Sequence, residues 1–222
     1  MQNENWRQRA LPIYSRGEEI MNTVTHIAGG AIGLAGFIGC MIAAVSEGSP
    51  LRITATAIYG FTILLVYTMS SIYHALPVCD AKRVMQVLDH CSIYLLIAGT
   101  YTPLVLCALA PEYPLIGWGL FAVQWGLAAV AVTLTAIDLH KYRAFSKVCY
   151  IVAGWAVIFF IPQTLDVLGT AGFGFLLAGG IAYTIGAILF GLGQKVKWMH
   201  PIFHIFVILG TVLQMVTIGF FL

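Results

Sequence analysis

Residues 53–73, ITATAIYGFTILLVYTMSSIY, decide the fold, because this stretch contains no charged side chain and ends directly before His74. Its length matches the roughly 20 apolar residues that a helix needs to cross a bilayer. Its apolar residues are continuous, whereas a strand of a membrane barrel alternates polar and apolar faces over about 10 residues. The stretch therefore predicts a transmembrane helix.

Six further stretches of the chain have the same character. The chain is 60% hydrophobic and only 9% charged, against roughly 25% charged residues in an ordinary soluble domain. The seven predicted spans are residues 27–45, 53–73, 91–111, 113–137, 148–165, 167–194 and 201–222. We expect an all-α integral membrane protein that folds as a bundle of seven transmembrane helices.

The basic residues predict the orientation of this bundle. With seven spans, ten of the eleven lysines and arginines fall on the side of the amino terminus, and the other side keeps Arg52 alone. The positive-inside rule then places the amino terminus in the cytoplasm and the carboxyl terminus outside, in a cell (inner) membrane. Since these charges lie between helices and serve topology, no nucleic-acid partner is expected. The ten residues are Arg7, Arg9, Arg16, Lys82, Arg83, Lys141, Arg143, Lys147, Lys195 and Lys197.

The chain is expected to form one domain. Residues 1–16 are predicted to be a polar cytoplasmic segment, and residues 17–222 a single seven-helix membrane domain without long linkers. Gly29 and Gly33 lie four residues apart, a spacing that lets a second helix approach closely. Pro103 and Pro162 lie within predicted helices, where a kink can open a cavity.

Histidines gather at the helix ends that the topology assigns to the cytoplasm. Ser70 and His74 are four residues apart at the end of the second helix and share one face. His200 and His204 have the same spacing at the start of the seventh helix, where Pro201 is tolerated in the first turn. Three imidazoles can therefore point to one place, a zinc site near the cytoplasmic face.

A catalytic zinc ion keeps one tetrahedral position open for water, and three histidines leave that position free. Asp89 lies at the same depth and could hold and deprotonate this water. His90 projects about 100° round the helix from Asp89, which favours a supporting or interfacial role over metal ligation. Bis-histidine haem is less suitable, because two histidines on one helix face cannot take opposite axial positions.

A structural interpretation of the same residues stays open. In it His200 caps the seventh helix, His74 and His204 lie at the headgroup boundary, and Asp89 caps the third helix.

Glu19, Asn22 and His26 form one face before the first helix, because they are spaced by three and four residues. We interpret them as a hydrogen-bonding cluster that supports the metal ligands. The alternative is capping and dipole matching at the helix start by Glu18 and Glu19.

Together these motifs resemble the haemolysin III family, the bacterial branch of the progestin and adiponectin receptor superfamily. The resemblance covers nearly the whole chain, with its motifs in the expected order. They are residues 19–26 (EIMNTVTH), 70–74 (SSIYH), 88–94 (LDHCSIY) running into 98–103 (AGTYTP), and 200–204 (HPIFH).

The resemblance implies seven helices and a zinc ion held by His74, His200 and His204. It also implies that Asp89 contacts the water held by the metal and that Ser70 lies beside it. Because the superfamily is similar to alkaline ceramidases, the implied chemistry is hydrolysis of an amide or ester bond in a membrane lipid. Asp89 and Ser70 are then the expected catalytic residues, and Glu19, Asn22, His26 and His90 the supporting ones.

Two other functions compete with lipid hydrolysis. A non-enzymatic sensor or regulator of membrane lipids would use zinc to hold the second and seventh helices together. A pore-forming haemolysin is disfavoured, because the outer halves of the helices show no column of polar residues. The expected partner is in either leading case a membrane lipid, as substrate or ligand.

Overall fold

The computed structural model describes residues 10–193 and 195–222. Within this part of the chain the structure is helical and contains no strand. The helices are α1 (Arg16–Glu47), α2 (Pro50–Ala75), α3 (Asp80–Pro103), the single turn α4 (Ala110–Glu112), α5 (Pro114–Ile137), α6 (Arg143–Gly154), α7 (Ile161–Leu192) and α8 (Met199–Phe220).

Six helical stretches in the described residues are long and apolar enough to cross a membrane. They confirm a multi-pass helical membrane protein, while the count of seven spans and the orientation of the termini stay predictions. The six stretches are Arg16–Glu47, Pro50–Ala75, Asp80–Glu112, Pro114–Ile137, Arg143–Leu192 and Met199–Phe220.

The stretch Arg143–Leu192 contains the fifth predicted span and nearly all of the sixth. It is interrupted by a 3-10 helix at Ala156–Phe160 and leaves helical geometry at Gly169, where φ is 64° and ψ is 175°. Such a left-handed φ favours glycine over any residue with a Cβ. The predicted boundary between the two spans, near residue 166, lies close to this break.

Successive helices pack side by side and the bundle closes on itself. Contacts run from α1 to α2, α2 to α3, α3 to α5, α5 to α6, α6 to α7 and α7 to α8, and α8 returns to α1. The predicted close approach at Gly29 and Gly33 is present, because both glycines face α2. The last helix, α8, therefore lies beside the first helix, α1. This contact brings motifs from the two ends of the chain together.

Pro103 also has the predicted local effect. Directly after it the chain forms a π-helix at Leu104–Leu109 instead of continuing as an α-helix. A π-helical turn follows from a disturbed hydrogen-bond ladder and is frequent beside functional sites. Pro162 lies in the first turn of α7, after the 3-10 segment, where a proline is well tolerated.

Candidate metal centre

Three histidines from two helices meet at one end of the bundle. His74 lies in the last turn of α2, and His200 and His204 lie on one face of the first turns of α8. All three are buried, and one nitrogen of each lies within 4.8 Å of the others. The Nε2 atoms of His74 and His200 are 3.2 Å apart. The structure thus places the three imidazoles together, as the four-residue spacings predicted.

This geometry fits a tetrahedral metal ion. Zinc binds imidazole nitrogen at about 2.0–2.1 Å, which separates two ligand nitrogens by roughly 3.3 Å. The Nε2 separation of His74 and His200 has this value. The residues could hold zinc with three imidazoles and one open position.

The carboxylate of Glu19 fixes the orientation of His74. The His74 Nδ1 donates a hydrogen bond of 2.7 Å to Glu19 Oε2, which leaves its Nε2 facing the other two histidines. The second oxygen of Glu19 accepts a 2.7 Å hydrogen bond from Lys82 Nζ, and Lys82 also donates to the carbonyl of Leu76. A carboxylate bound to the remote nitrogen of a histidine ligand is the usual support of a zinc site.

The main chain of α1 orients His204 in the same way. Its Nδ1 donates to the carbonyl of Asn22 at 3.2 Å and lies 3.1 Å from the hydroxyl of Thr25. The side-chain amide of Asn22 lies 3.3 Å from Nδ1 of His74. Asn22 therefore contacts two of the three candidate ligands, one through its side chain and one through its backbone.

His26 lies beside this group without joining it. Its ring stacks on His204 with 3.5 Å between centroids and stands nearly perpendicular to the ring of Tyr67, with 5.2 Å between those centroids. Neither ring nitrogen has a hydrogen-bond partner among the described residues. The structure thus gives His26 a packing contact with a candidate ligand rather than a hydrogen bond to one.

Asp89 and Ser70 face the same space as the histidines. The side chain of Ser70 lies beside the carboxylate of Asp89, and both residues line a cavity together with His200 and His204. His90 lines this cavity too, but its Nδ1 donates to the carbonyl of Gln86 at 2.8 Å and lies 3.8 Å from Asp89 Oδ2, so it makes no hydrogen bond to Asp89. A carboxylate beside three imidazoles can accept a proton from a water bound between them.

This cavity, the inner cavity, has a volume of about 160 Å³ and is largely apolar. It runs inward from the histidines, and most of its lining residues come from α3, α6, α7 and α8. A neighbouring cavity of about 160 Å³ continues it toward the middle of the bundle. Residues that line both are Thr100, Tyr101, Gly154, Trp155, Gly180 and Gln214. An apolar space that ends at polar groups is suited to a ligand with a hydrocarbon chain.

A third and more polar cavity of about 380 Å³, the vestibule, lies on the other side of the histidines at the end of the bundle. Residues 10–14, which precede α1, form part of its wall. The ring of Tyr14 lies 5.7 Å from that of His74 and 5.0 Å from that of His200, measured between centroids. Burial, assisted by the charges of Glu19 and Asp89, raises the pKa of Tyr14, so its hydroxyl stays protonated.

Two parts of the structural interpretation are wrong. The residue that caps α8 is Trp198, which makes no side-chain capping bond, so His200 is not the cap. Helix α3 begins at Asp80, so Asp89 lies well inside it. The capping interpretation does hold for Glu18, which forms a capping box with Ser15 and also accepts the backbone N–H of Trp198 at 2.8 Å.

Sequence reasoning missed two residues of the site. Lys82 was counted among the topological charges, although it is buried and bound to Glu19. Tyr14 was assigned to the polar cytoplasmic segment at residues 1–16, whereas it packs against two histidines. The part of that segment at residues 1–9 lies outside the described residues. The sequence offered one signal for Tyr14: it is an aromatic residue directly before the capping box that starts α1.

The fold and the site define a multi-pass helical membrane protein with a cluster of three histidines that could bind a metal. The chain belongs to the haemolysin III family. The family described as "Haemolysin-III related" matches residues 14–215, which include every residue of the histidine cluster.

Individual relatives support this assignment. Hemolysin-3 of Bacillus cereus is 35% identical over 204 residues, which cover 92% of this chain and 91% of the relative. A Hemolysin-3 homolog of Bacillus subtilis (strain 168) is 32% identical over 194 residues, or 87% and 89% of the two chains. The human monocyte to macrophage differentiation factor is 26% identical over 164 residues, 70% and 65% respectively. This distant match fits the progestin and adiponectin receptor superfamily.

Proposed function

We propose that the protein is a zinc-dependent hydrolase that cleaves an amide or ester bond of a membrane lipid. The observation that carries this proposal is the 3.2 Å separation of the His74 and His200 Nε2 atoms at the end of an apolar cavity lined by Asp89 and Ser70. His74, His200 and His204 would hold the metal. Bound zinc supplies a Lewis acid and an activated water at this position.

The lipid is held by the inner cavity. Its acyl chain lies among apolar side chains, and its labile carbonyl carbon lies beside the histidines and Asp89. Asp89 accepts a proton from the attacking water, whose oxygen forms the new bond to the carbonyl carbon. Asp89 then returns the proton to the departing nitrogen or oxygen as the old bond breaks. The products are a fatty acid and an amine or alcohol.

The hydroxyl of Ser70 has two roles in this mechanism. Before the reaction it lies beside Asp89, where it can donate a hydrogen bond that orients the carboxylate toward the water. During attack it can turn and donate to the oxygen on which negative charge develops. Glu19 and Asn22 keep the histidine rings in place. The role of His90 is to pack beside Asp89 in the wall of the cavity.

The proposed setting is a cell (inner) membrane that the chain crosses seven times, with the amino terminus and the zinc site at the cytoplasmic face. Two observations support it. The end of the bundle with the histidines also carries the described basic residues other than Arg52. The stretch Arg143–Leu192 has 50 residues, which as a continuous helix would be about 75 Å long. Because a hydrocarbon core is about 30 Å thick, this stretch is long enough to cross the membrane twice.

The test compares two variants for zinc content and lipid hydrolysis. Purified wild-type protein is expected to carry one zinc per chain, and a His200→Ala/His204→Ala variant none. An Asp89→Asn variant should keep its zinc and its thermal stability yet hydrolyse acyl amides, ceramides and phospholipids at least about 100-fold more slowly. A protein that folds but rejects zinc would contradict the proposal.

A lipid sensor with a structural zinc is the second candidate, and one observation favours it. The site joins four helices, because Glu19 of α1 and Lys82 of α3 meet His74 of α2 beside the histidines of α8. In this case His74→Ala should lower thermal stability strongly, and Asp89→Asn should leave lipid-dependent behaviour intact. The same pair of variants therefore separates the two functions.

A further inference from the structure

The vestibule and the inner cavity meet at the candidate site. Five residues line both of them: Asp89, His90, Tyr150, Phe190 and His200. A lipid whose labile bond lies beside Asp89 and whose acyl chain fills the inner cavity must place its remaining part in the vestibule. The vestibule therefore selects the leaving group. The charged and polar side chains that line it indicate which leaving groups it can bind.

The vestibule is predominantly cationic. Arg143 and Lys147 line it on one side of α6, and His140 lines it from the preceding loop. Among its described lining residues Asp89 is the only acid. Neutral hydroxyl and amide groups complete the polar part of the wall, including Tyr73, Gln86 and Ser146. This surface is suited to an anion, because arginine and lysine donate strong charge-assisted hydrogen bonds to phosphate and carboxylate.

Lys147 is close enough to the histidines to contact a leaving group. Its ammonium lies 6.0 Å from the centre of the Phe190 ring, and that ring lies 5.7 Å from the ring of His200. These two distances place the ammonium within about 12 Å of His200. An anionic group that follows the labile bond after a few atoms can reach this position while the carbonyl carbon stays beside Asp89.

The partly buried position of Lys147 distinguishes it from a lysine that serves topology alone. The positive-inside rule requires only that basic residues lie on the cytoplasmic side, where they are ordinarily solvated. Lys147 instead is partly buried in the wall of the vestibule, beside the ring of Phe190 that also lines it. Lys141 also lies over an aromatic ring, that of Tyr142, but it is exposed and lies outside the walls of the vestibule.

We propose that the vestibule binds an anionic leaving group, so that the preferred substrates are acyl amides or esters with a phosphate or carboxylate a few atoms beyond the labile bond. Arg143 and Lys147 are the specificity-determining residues. This inference rests on the proposed hydrolase function and narrows its substrate class, because neutral lipids of equal chain length become poor substrates. Phosphate and carboxylate share the recognised chemistry, and the experiment distinguishes them.

Three substrates with the same acyl chain provide the test. N-palmitoylethanolamine is neutral, N-palmitoylglycine carries a carboxylate, and N-palmitoyl phosphoethanolamine carries a phosphate. In detergent micelles of zinc-loaded protein, at least one anionic substrate should show a KM about tenfold or more below that of the neutral one. The anion with the lower KM identifies the preferred group.

Two charge-neutralising variants complete the test. Arg143→Gln/Lys147→Gln should raise the KM of the preferred anion to that of the neutral amide and leave the neutral KM unchanged. Lys141→Gln/Lys195→Gln removes the same charge from the same membrane face and should change neither value. Equal KM values for the three substrates in the wild type, or equal effects of the two variants, would overturn the inference and leave the hydrolase function standing.

A binding experiment keeps the inference testable if none of the three amides is hydrolysed, an outcome that would count against the proposed function itself. Hexadecyl phosphate should then raise the melting temperature of the wild type more than hexadecanol does, and Lys147→Gln alone should reduce the difference. Equal stabilisation by the two alkyl compounds would overturn anion recognition. A difference lost in the variant would support it independently of catalysis.

Discussion

The carboxylate of Glu19 has two buried partners, His74 and Lys82. If Glu19 becomes neutral, the ammonium of Lys82 loses its counter-ion and the imidazole of His74 loses the acceptor that fixes its tautomer. A buried charge without a partner is costly, and a histidine ligand without its supporting acceptor binds metal less well. Glu19 is therefore a residue whose loss affects metal binding without removing a ligand.

Glu19→Gln is expected to weaken zinc binding by about 10–100-fold. Competition with a chromophoric chelator measures this affinity. Glu112→Gln is the matched control, because Glu112 is exposed and precedes α5 at a distance from the histidines. An unchanged affinity in Glu19→Gln would show that the hydrogen bond to His74 has no supporting role.

His26 allows a separate test of which imidazoles bind the metal. His26→Phe should keep one zinc per chain, because His26 makes a stacking contact and is not part of the group of three. His204→Phe should lose the zinc. Elemental analysis of both purified proteins measures this difference. If His26→Phe also loses the metal while remaining folded, His26 is a ligand and the set of three is incomplete.

At the residue scale, spacing predicted the histidines because a four-residue interval fixes a shared helix face. The same logic could not find Lys82, because its partner Glu19 is remote in sequence and their contact depends on how α1 and α3 both pack against α2. It could not find Tyr14 either, because that residue precedes the first helix. Contacts set by tertiary packing are invisible to a rule that works within one helix.

At the element scale, the packing of α1 on α2 depends on two glycines. A Cβ on Gly29 would lie 2.6 Å from Cε1 of Tyr67, and one on Gly33 would lie 2.6 Å from Cγ2 of Ile63. Both distances are too short for a real contact. Tyr67 and Ile63 are fully buried, so they have little room to move.

Gly29→Ala is therefore expected to destabilise the protein by about 1–3 kcal/mol. Gly39→Ala is the control on the same helix, because a Cβ there would meet nothing within 4 Å. It should be neutral or slightly stabilising, since alanine favours helix more than glycine does. Thermal unfolding in detergent compares the two. Similar melting temperatures for both variants would argue against the close approach.

The sequence predicted where the apolar helices lie but not how they are interrupted. Hydropathy marked residues 148–165 as one span, whereas the structure divides this region into α6, a 3-10 segment and the start of α7. Apolar composition measures compatibility with lipid and contains no information on which backbone hydrogen bonds form. Pro103 was an exception, because its missing N–H disturbs the helix directly.

At the scale of the whole molecule, the number of crossings decides where the carboxyl terminus lies. Seven crossings put the two termini on opposite sides of the membrane, and six would put them on the same side. Whether the chain crosses six or seven times depends on the stretch Arg143–Leu192, which has a break at Gly169. We expect this stretch to cross twice.

A carboxyl-terminal fusion tests this count. Alkaline phosphatase fused after Leu222 should be active, because it folds only outside the cytoplasm, and a green fluorescent protein fused there should stay dark. The reverse pattern would mean an even number of crossings, with both termini in the cytoplasm. A fusion truncated at Lys141, which follows α5, should give the reverse pattern and serves as the control.

The contact between His74 and His200 joins positions 126 residues apart, so the order of synthesis determines when the metal can be captured. Glu19, His74 and Lys82 enter the membrane early, with α1, α2 and α3, and can pair before the rest of the chain exists. At that stage they offer zinc a single imidazole, and α8 later contributes both of the others. Metal capture would then report completed insertion, and chains arrested before α8 would stay metal-free.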